Sequence, residues 1–372
     1  MKVVKIQISN FRNLKSKTFS FSPKVTLIVG PNASGKTNIL ECLYLLSTGK
    51  SFRARVEEEM INHTQEIARI KGLFEDIQRS KIKLEVVLTR GEITIGEDPV
   101  KTESAPRKKL LVNGVSKRLY DFAGNFKVVL FGPQDLELVV ESPSRRRAFL
   151  DTVLSQVDRE YRRASLSYEK GLRQRNRLLF RIREEGLSRS QLLFWDRLLI
   201  KNGDYISQKR TEFINFANSW RALPARNRYT QSVVGGDDQE FSLYYDVSAI
   251  SEARLEQYSK EEVAAASTLV GPHRDDFGFR LKKGKRIRDI SRYGSRGEQR
   301  MGVLWLKLAE LSFIKEQTQG VPTLLLDDIF SELDHEHREV VMRTVGDQQT
   351  IITTADPHFV EGLKKVEKID LK

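Results

Sequence analysis

The chain has 372 residues, of which 63 are Lys or Arg and 50 are Asp or Glu, so its formal net charge is +13. This length suggests two domains of roughly 150 residues each. A hydrophobic fraction of 39% is typical of a folded chain and not of a disordered one. No apolar run approaches the ~18 residues of a membrane span. The single cysteine, Cys42, excludes an internal disulfide and favours a reducing cytoplasm.

The positive charge is concentrated in two windows. Residues 143–183 hold 12 basic and 4 acidic residues, and residues 280–300 hold 9 basic and 2 acidic residues. Together the windows carry +15, so the other 310 residues net to −2. This confinement is typical of a surface that binds a polyanion, although solvated helix faces would give the same pattern.

The predicted elements begin with a strand, because apolar and polar residues alternate over residues 4–8. This pattern differs from that of a signal peptide. A second strand is predicted at 25–29, and it leads directly into a glycine-containing segment at 30–37. Leucine and isoleucine then recur at helical spacing over 39–46. The local order is therefore strand, loop, helix.

Short strands alternate with turns from about residue 68 to 131. The run at 81–89 is one such strand, and Asn113-Gly114 between two apolar runs predicts a β-hairpin. The segment 97–109 is rich in proline and charge, which indicates a loop.

A helical region is predicted to begin at Ser142-Pro143, because Ser is a favoured N-cap and Pro suits the first helical position. An apolar stripe runs from Leu150 to Tyr161, and helical patterning continues to about Trp220. A loop is predicted at Gly235-Gly236. Strand character returns in two further runs, at 269–281 and 321–326.

The residues at 30–37 match the pattern G-x-x-x-x-G-K-[ST] of a phosphate-binding loop. Its backbone N–H groups turn towards phosphates, its lysine reaches the β- and γ-phosphate oxygens, and its hydroxyl residue supplies a ligand to Mg²⁺. We therefore predict an ATP and Mg²⁺ site whose loop comprises Gly30, Pro31, Asn32, Ala33, Ser34, Gly35, Lys36 and Thr37.

The second half of such a site is predicted at 323–328, where an apolar strand ends in two acids. Asp327 is expected to hold Mg²⁺, and Asp328 is expected to orient or deprotonate the attacking water. About 290 residues separate this pair from the loop, so a sizeable segment must be inserted between the two halves.

A third segment, 295–300, reads Ser-Arg-Gly-Glu-Gln-Arg and opens a predicted helix. The start of such a helix offers N–H groups and a hydroxyl to an anion. If this segment lies on a different surface from the loop at 30–37, it suits the phosphates of a second subunit.

Taken together, these segments resemble the RecF-like recombination-repair family within the SMC class of ABC-type ATPases. The resemblance runs in family order over nearly the whole chain. It is carried by residues 8–14, 30–46, 49–53, 131–136, 142–147, 271–276, 295–300 and 323–334.

The resemblance implies an α/β fold: an ABC-type P-loop ATPase domain with an inserted, mainly helical second domain. The expected boundaries are 1–141 for the N-terminal part of the ATPase domain, 142–235 for the helical insertion, and 236–372 for the C-terminal part. The resemblance also assigns roles to individual residues: nucleotide contact to Arg12, a metal or water contact to Gln134, contact with the other subunit's γ-phosphate to Ser295 and Gly297, and a D-loop position to Asp334.

The function implied is an ATP-dependent homodimer on single-stranded or gapped DNA, with weak, DNA-stimulated ATP hydrolysis. RecF-like proteins act with mediator proteins of the RecR and RecO type to load the RecA recombinase, and they require no membrane. The chain departs from the wider class at two points. Thr353 and Thr354 follow the next predicted strand, where many ABC-type ATPases carry a switch histidine. The second acid is Asp328 instead of the usual Glu, which suits slow hydrolysis.

The DNA surface is predicted on the basic helical region. The arginines expected to track phosphates are Arg146, Arg159, Arg162, Arg163, Arg173, Arg175 and Arg177. Pairing of these arginines with acids of the ATPase lobe is the structural alternative.

Three other functions remain as alternatives. A transporter's nucleotide-binding subunit is disfavoured by the basic insertion. A structural SMC protein would need a helical arm longer than about 80 residues. An ATPase-linked nuclease would need a further carboxylate-rich domain.

Overall fold

A computed structural model describes residues 1–76, 78–95, 101–220, 239–333, 335–345, 347–360 and 366–371. The predicted loop at Gly235-Gly236, the D-loop residue Asp334 and the first part of the loop at 97–109 lie outside these residues.

The chain divides into two compact units. The first unit comprises residues 1–135 and 310–372, and the second comprises residues 136–309. These limits differ from the predicted boundaries at 141/142 and 235/236, because the strands between residues 239 and 289 belong to the same unit as the long helices.

Most strands precede residue 132, and the longest helices lie between residues 143 and 318. The strands are β1 Lys2–Phe11, β2 Leu14–Ser20, β3 Val25–Val29, β4 Ile67–Glu75, β5 Lys81–Thr89, β6 Glu92–Ile95, β7 Lys101–Ser104, β8 Lys108–Val112, β9 Val115–Lys117, β10 Val128–Phe131, β11 Gln239–Asp246, β12 Asp276–Lys283, β13 Arg286–Asp289, β14 Thr323–Asp327, β15 Thr350–Thr354 and β16 Val366–Asp370. The α-helices are α1 Lys36–Thr48, α2 Leu119–Phe122, α3 Glu137–Val140, α4 Pro143–Val157, α5 Arg159–Glu185, α6 Leu193–Ser219, α7 Glu252–Gln257, α8 Ser259–Ala265, α9 Ile290–Tyr293, α10 Arg296–Thr318 and α11 His335–Thr344.

In the first unit, two sheets share a core with α1. The antiparallel sheet has the order β2-β1-β4-β5-β8-β9, and the parallel sheet has the order β10-β14-β15-β3-β16. Strands β14 and β15 are buried along their whole length, as expected for central strands of a parallel sheet. Because parallel strands end at one edge, β3, β14 and β15 deliver their carboxyl ends to the same place, where ligands bind in open α/β sheets.

The hairpin predicted at Asn113-Gly114 is confirmed. Val112 pairs with Val115, and the two turn residues have φ angles of +51° and +82°. Both central residues of a type I′ turn need positive φ, which Asn and Gly adopt most readily.

The second unit consists of long helices and the three-stranded sheet β11-β12-β13. Helix α4 begins at Pro143 as predicted, although the Ser142 side chain makes no capping bond. Helix α5 is capped by Asp158, whose carboxylate accepts from the N–H groups of Glu160 and Tyr161. The described part of α6 ends at Ser219, next to the predicted limit at Trp220.

The predicted apolar stripe from Leu150 to Tyr161 faces the core of the second unit, although it is divided between α4 and the start of α5. Leu150, Val153 and Leu154 are fully buried, and the ring of Phe149 lies 5.9 Å from that of Phe213 on α6. None of the helices in the described ranges is both long enough and apolar enough to span a membrane.

Candidate nucleotide-binding site

The loop between β3 and α1 is tight and contains two residues with left-handed backbone. Ala33 and Gly35 have φ angles of +67° and +101°, and Gly35 is the N-cap of α1. Gly30 lies against the end of the chain, since a Cβ there would be 2.8 Å from the carbonyl oxygen of Leu371. The loop therefore turns sharply and presents the start of α1 at the carboxyl edge of the sheet.

Lys36 lies inside this loop and is only 7% exposed. Its ammonium group donates hydrogen bonds to the carbonyl oxygens of Gly30, at 2.7 Å, and Pro31, at 2.9 Å. The hydroxyl of Ser34 is buried and has no hydrogen-bond partner among the described residues. A buried cation, an unsatisfied hydroxyl and the N-terminus of a helix together fit an anionic ligand such as a nucleotide phosphate.

Asp327 at the end of β14 joins the two halves of the site. One of its carboxylate oxygens accepts a hydrogen bond from Thr37 at 2.9 Å and another from Thr353 at 2.8 Å. Burial raises the pKa of Asp327, and these two hydrogen bonds act in the opposite direction. Thr37 and Asp327 are therefore adjacent, as the predicted Mg²⁺ ligands require, and both are oxygen donors of the type Mg²⁺ prefers.

Asp328 occupies a strained backbone position directly after this strand. Its φ angle is +49°, and its N–H donates to the carbonyl oxygen of Thr353 at 3.1 Å. The Thr353 hydroxyl also accepts from this N–H, at 3.2 Å. Non-glycine residues adopt this conformation infrequently, and such strain is concentrated at functional sites.

Thr353 was noted in the sequence only as a departure from the switch histidine. The structure shows that its hydroxyl contacts both Asp327 and the backbone of Asp328. Its position at the carboxyl end of β15, the strand beside β14, was the available signal.

A chain of amide and guanidinium contacts braces the phosphate-binding loop, and the sequence did not predict it. Asn13 donates to the carbonyl oxygen of Ala33 at 3.1 Å, and Asn38 donates to Asn13 at 2.7 Å. Arg53 in turn donates to Asn38 at 3.1 Å. Asn13 and Arg53 both lie in segments that carried the family resemblance, which was the available signal.

Arg12, which was expected to contact the nucleotide, forms a two-point ion pair with Glu41 of α1 at 2.5 and 2.8 Å. Glu41 is fully buried and also accepts from Ser51. Arg12 is thus fixed to the helix that follows the loop, and direct contact with a nucleotide stays a prediction.

Gln134 lies in a short 3₁₀ turn, Pro133–Leu136, and is exposed. Asp135 closes this turn by accepting from the N–H of Gly132 at 2.8 Å. A Cβ on Gly132 would be 3.3 Å from the Cβ of Asp327. The glycine therefore lets the turn that carries Gln134 approach the acidic strand end closely.

The segment at 295–300 lies in the second unit and begins α10. Ser295 and Glu298 form a capping box: the Ser295 hydroxyl accepts from the N–H of Glu298 at 3.2 Å, and the Glu298 carboxylate accepts from the N–H of Ser295 at 2.8 Å. A Cβ on Gly297 would meet only the Ser295 hydroxyl, at 3.9 Å. The surface above this first turn is therefore open to a ligand.

Two of the arginines assigned to a DNA surface are buried, and their assignment is corrected. Arg146 forms a two-point ion pair with Asp276 at 2.7 and 2.9 Å. Arg175 is 2% exposed and contacts Asp196 at 2.6 Å and Glu262 at 2.7 Å. Both side chains are engaged by acids of their own unit, so they cannot contact a phosphate in this structure.

The other arginines have varied surroundings. Arg159, Arg163, Arg173 and Arg177 are exposed, whereas Arg162 is half-buried and donates to the carbonyl oxygen of Ser155. Arg163 and Arg173 make surface ion pairs within α5. Such exposed pairs are weak, so these side chains remain available to a stronger anion.

The fold and the site define the class of the protein. A phosphate-binding loop and an acidic strand end share one sheet edge, and a serine-capped helix precedes the acidic strand in the chain, which is the organisation of an ABC-type ATPase. The model of the RecF/RecN/SMC N-terminal domain family matches residues 2–372. The chain belongs to this family, and within it to the RecF DNA replication and repair proteins.

Similar proteins match this chain over nearly its full length. A relative from Herpetosiphon aurantiacus, named DNA replication and repair protein RecF, is 36% identical over 98% of this chain and 97% of its own length. A solved structure described as the recombination mediator protein RecF-ATP in the RecFOR pathway is 31% identical, with a TM-score of 0.82 over 98% of this chain and 93% of that one. An Smc head bound to a domain of ScpA is 15% identical with a TM-score of 0.52 over 100% of this chain and 95% of that chain, which shows the fold alone.

Proposed function

We propose that the protein is an ATP-dependent DNA-binding switch of recombinational repair and replication-fork maintenance. The observation that carries the proposal is the contact of Thr37 and Thr353 with one carboxylate oxygen of Asp327. This contact joins two residues 290 positions apart in the chain, which supports a shared site for a nucleoside triphosphate and its metal ion. The relative solved as RecF-ATP supports ATP as the nucleotide.

In this proposal, Lys36 exchanges its two carbonyl partners for phosphate oxygens, and the Ser34 hydroxyl gains the partner it lacks. Thr37, Asp327 and Gln134 would hold Mg²⁺. When bound, Mg²⁺ supplies charge neutralisation on the β- and γ-phosphates. Asp328 acts as general base towards the attacking water.

The switch operates through dimerisation. Ser295 and Gly297 of one copy contact the γ-phosphate held by the second copy, so the dimer closes with ATP and reopens after hydrolysis. Hydrolysis is slow and stimulated by DNA, which suits a switch better than a motor.

On DNA, the closed dimer binds single-stranded or gapped substrates. The exposed arginines of α5, which include Arg159, Arg173 and Arg177, support this part of the proposal. With mediators of the RecR and RecO type, the dimer helps load the RecA recombinase at gaps. Its place of action is the bacterial cytoplasm, where these substrates arise.

Nucleotide binding and DNA binding test the proposal separately. Lys36→Ala removes the buried cation of the loop, and we expect ATP binding to be lost. Lys50→Ala, at an exposed position after α1, is the matched control and keeps wild-type ATP affinity. Wild-type affinity in Lys36→Ala would overturn the site.

DNA affinity is then compared for single-stranded, duplex and gapped DNA, with and without ATP. We expect gapped DNA with ATP to bind most tightly in the wild type, and the effect of ATP to disappear in Lys36→Ala. An ATP-binding chain with no DNA affinity at low salt would favour an ATPase with a different partner.

A further inference from the structure

The capping box at the start of α10 places a negative charge where the proposed dimer needs an anion to bind. Glu298 lies in the first turn of the helix, and its carboxylate accepts a hydrogen bond from the N–H of Ser295 at 2.8 Å. A helix N-terminus favours anions, so this carboxylate competes with a phosphate for the same partial positive charge. A phosphate that approaches Ser295 therefore meets both attraction from the helix and repulsion from Glu298.

Arg288 on β13 offsets this repulsion. Its guanidinium group donates one hydrogen bond to the Glu298 carboxylate and another, at 3.3 Å, to the carbonyl oxygen of Tyr293. The same side chain thus holds the first turn of α10 and the last residue of α9. A Cβ on Gly294, directly after α9, would lie 2.5 Å from the carbonyl oxygen of Ile290, so the close turn itself requires glycine.

The approach to the helix end is otherwise open. Gly297 has no side chain to cover it, and the first N–H groups of a helix have no acceptor within the helix. The Ser295 hydroxyl accepts from Glu298, and its proton remains available to donate. The side chains of Arg288 and Glu298 are 38% and 21% exposed, so a ligand at the helix end would desolvate them further.

We propose that the Arg288–Glu298 ion pair sets the affinity of this helix end for the γ-phosphate held by a second copy of the chain. The inference rests on the proposed ATP-dependent dimer. Glu298 weakens the phosphate contact and Arg288 restores it. Arg288 is a positioning residue, since it acts through Glu298 and the carbonyl of Tyr293 and not by direct contact with the nucleotide.

Charge-neutral variants give opposite signs for the two residues. Glu298→Gln keeps the capping box, because Gln serves in it as Glu does, and it removes the negative charge. We expect the ATP-dependent dimer to tighten by about tenfold. Arg288→Met leaves the Glu298 charge without its partner, and we expect the dimer to weaken by about the same factor.

Two further variants separate charge from structure. The double variant Arg288→Met/Glu298→Gln is expected to dimerise at least as well as the wild type, because the charge that needed neutralising is gone. Arg288→Lys keeps the positive charge with fewer donors and is expected to restore most of the affinity. Arg286→Met, at an exposed position on the same strand, is the matched control and leaves dimerisation unchanged.

The measurement is the dimer dissociation constant with ATP, obtained by analytical ultracentrifugation without DNA, together with ATP affinity at a protein concentration where the chain is monomeric. Monomer ATP affinity is expected to be the same in all variants. The proposal is overturned if Arg288→Met dimerises normally, if both single variants weaken the dimer, or if the double variant is as weak as Arg288→Met.

Ser295→Arg distinguishes this inference from the function on which it rests. It adds bulk at the phosphate contact, and we expect it to abolish dimerisation while ATP still binds. If it dimerises normally, the proposed dimer itself is wrong. If it blocks the dimer and the Arg288 and Glu298 variants have no effect, only the charge inference fails.

Discussion

Asp328 has a proposed chemical role and an unusual backbone conformation. A substitution that tests the role must therefore tolerate the same conformation. The Asp328 φ angle of +49° is tolerated by Asn better than by most other residues. Asp328→Asn therefore keeps the fold of the strand end and removes only the basic carboxylate. We expect ATP binding to persist, ATP hydrolysis to fall by roughly 10²–10⁴-fold, and ATP-bound dimers to accumulate.

Turnover and nucleotide affinity are measured side by side, with the exposed residue Asp347 changed to Asn as the control. Normal turnover in Asp328→Asn would place the general base elsewhere. A loss of ATP binding would show instead that Asp328 supports the loop at 30–37 and not the chemistry.

At the scale of single residues, sequence reasoning succeeded where the chemistry depends on local spacing. The segment 30–37 and the pair Asp327-Asp328 were found because their residue types follow a strand directly. Sequence reasoning failed for Arg146 and Arg175, because a count of charges does not reveal which side chains are buried. The partner of Arg146 is Asp276, 130 residues further along the chain, and a local sequence pattern does not predict such a pair.

Among the elements, α5 carries the prediction about DNA. Its buried residues, such as Tyr161, Tyr168, Arg175 and Leu179, follow one face, and Arg173 and Arg177 lie on the opposite, exposed face. One turn separates these two arginines, a spacing of about 6 Å along the helix. This distance lets both contact neighbouring phosphates of one strand.

Arg173→Ala/Arg177→Ala is therefore expected to weaken DNA binding for all sequences alike. Each lost phosphate contact reduces the slope of log K against log salt by roughly 0.7–0.9, so the double variant flattens it by about 1.5 units. ATP affinity is expected to stay the same. Titrations at several salt concentrations measure the slope.

Arg175→Ala is the informative comparison on the same helix. It leaves Glu262 buried without its cation, so we expect a loss of stability of about 3–5 kcal/mol and no specific change in the salt slope. An unchanged slope in the double variant would move the DNA surface to residues 280–300.

The loop between α8 and β12 contains His273, whose protonation is coupled to the stability of the fold. His273 contacts the hydroxyl of Tyr168 at 2.8 Å through Nδ1 and the carbonyl oxygen of Thr268 at 3.0 Å through Nε2. The carbonyl can only accept, so Nε2 carries the proton and Nδ1 accepts from Tyr168. Burial lowers the pKa of His273 to about 4 from 6.5.

The unfolded chain therefore binds a proton on this residue at a higher pH than the folded chain does. Stability is expected to be unaffected by His273 above pH 6.5, to fall as the pH decreases from 6.5, and to have lost about 3 kcal/mol below about pH 4. Denaturant unfolding over this range, compared with His273→Gln, measures the contribution. We expect a shallower pH dependence in His273→Gln, with exposed His63→Gln behaving as the wild type. Equal slopes in all three proteins would contradict the assignment.

Elements formed by local patterns were predicted closely, and those formed by distant pairing were not. Strand β3 and the hairpin at Asn113-Gly114 have the limits that their sequences indicate. The run at 269–281 was predicted as one strand, but β12 begins only at Asp276. Asp275 before it is fully buried and bound to Arg210 from α6, so the preceding residues follow that ion pair and not a strand.

For the whole molecule, the proposed function requires that ATP and DNA bind cooperatively through the dimer. Coupling between two ligands at equilibrium is reciprocal: the factor by which ATP raises DNA affinity equals the factor by which DNA raises ATP affinity. Two copies held together by ATP present two α5 surfaces to one DNA molecule. Once one copy has bound, the second copy binds the same DNA molecule intramolecularly. The DNA affinity of the dimer therefore exceeds that of a single copy, although each copy makes the same contacts as before.

We expect both factors to be about tenfold for gapped DNA, within the range usual for such coupling. The two dissociation constants are measured at one salt concentration in Asp328→Asn, in which hydrolysis does not disturb the equilibrium. Adding Ser295→Arg to this variant is expected to leave each ligand able to bind alone and to reduce both factors to about one, because the copies no longer close around ATP. Coupling that persists in that double variant would place the link between ATP and DNA within a single copy. If Asp328→Asn binds DNA equally well with and without ATP, the protein is not an ATP-dependent switch.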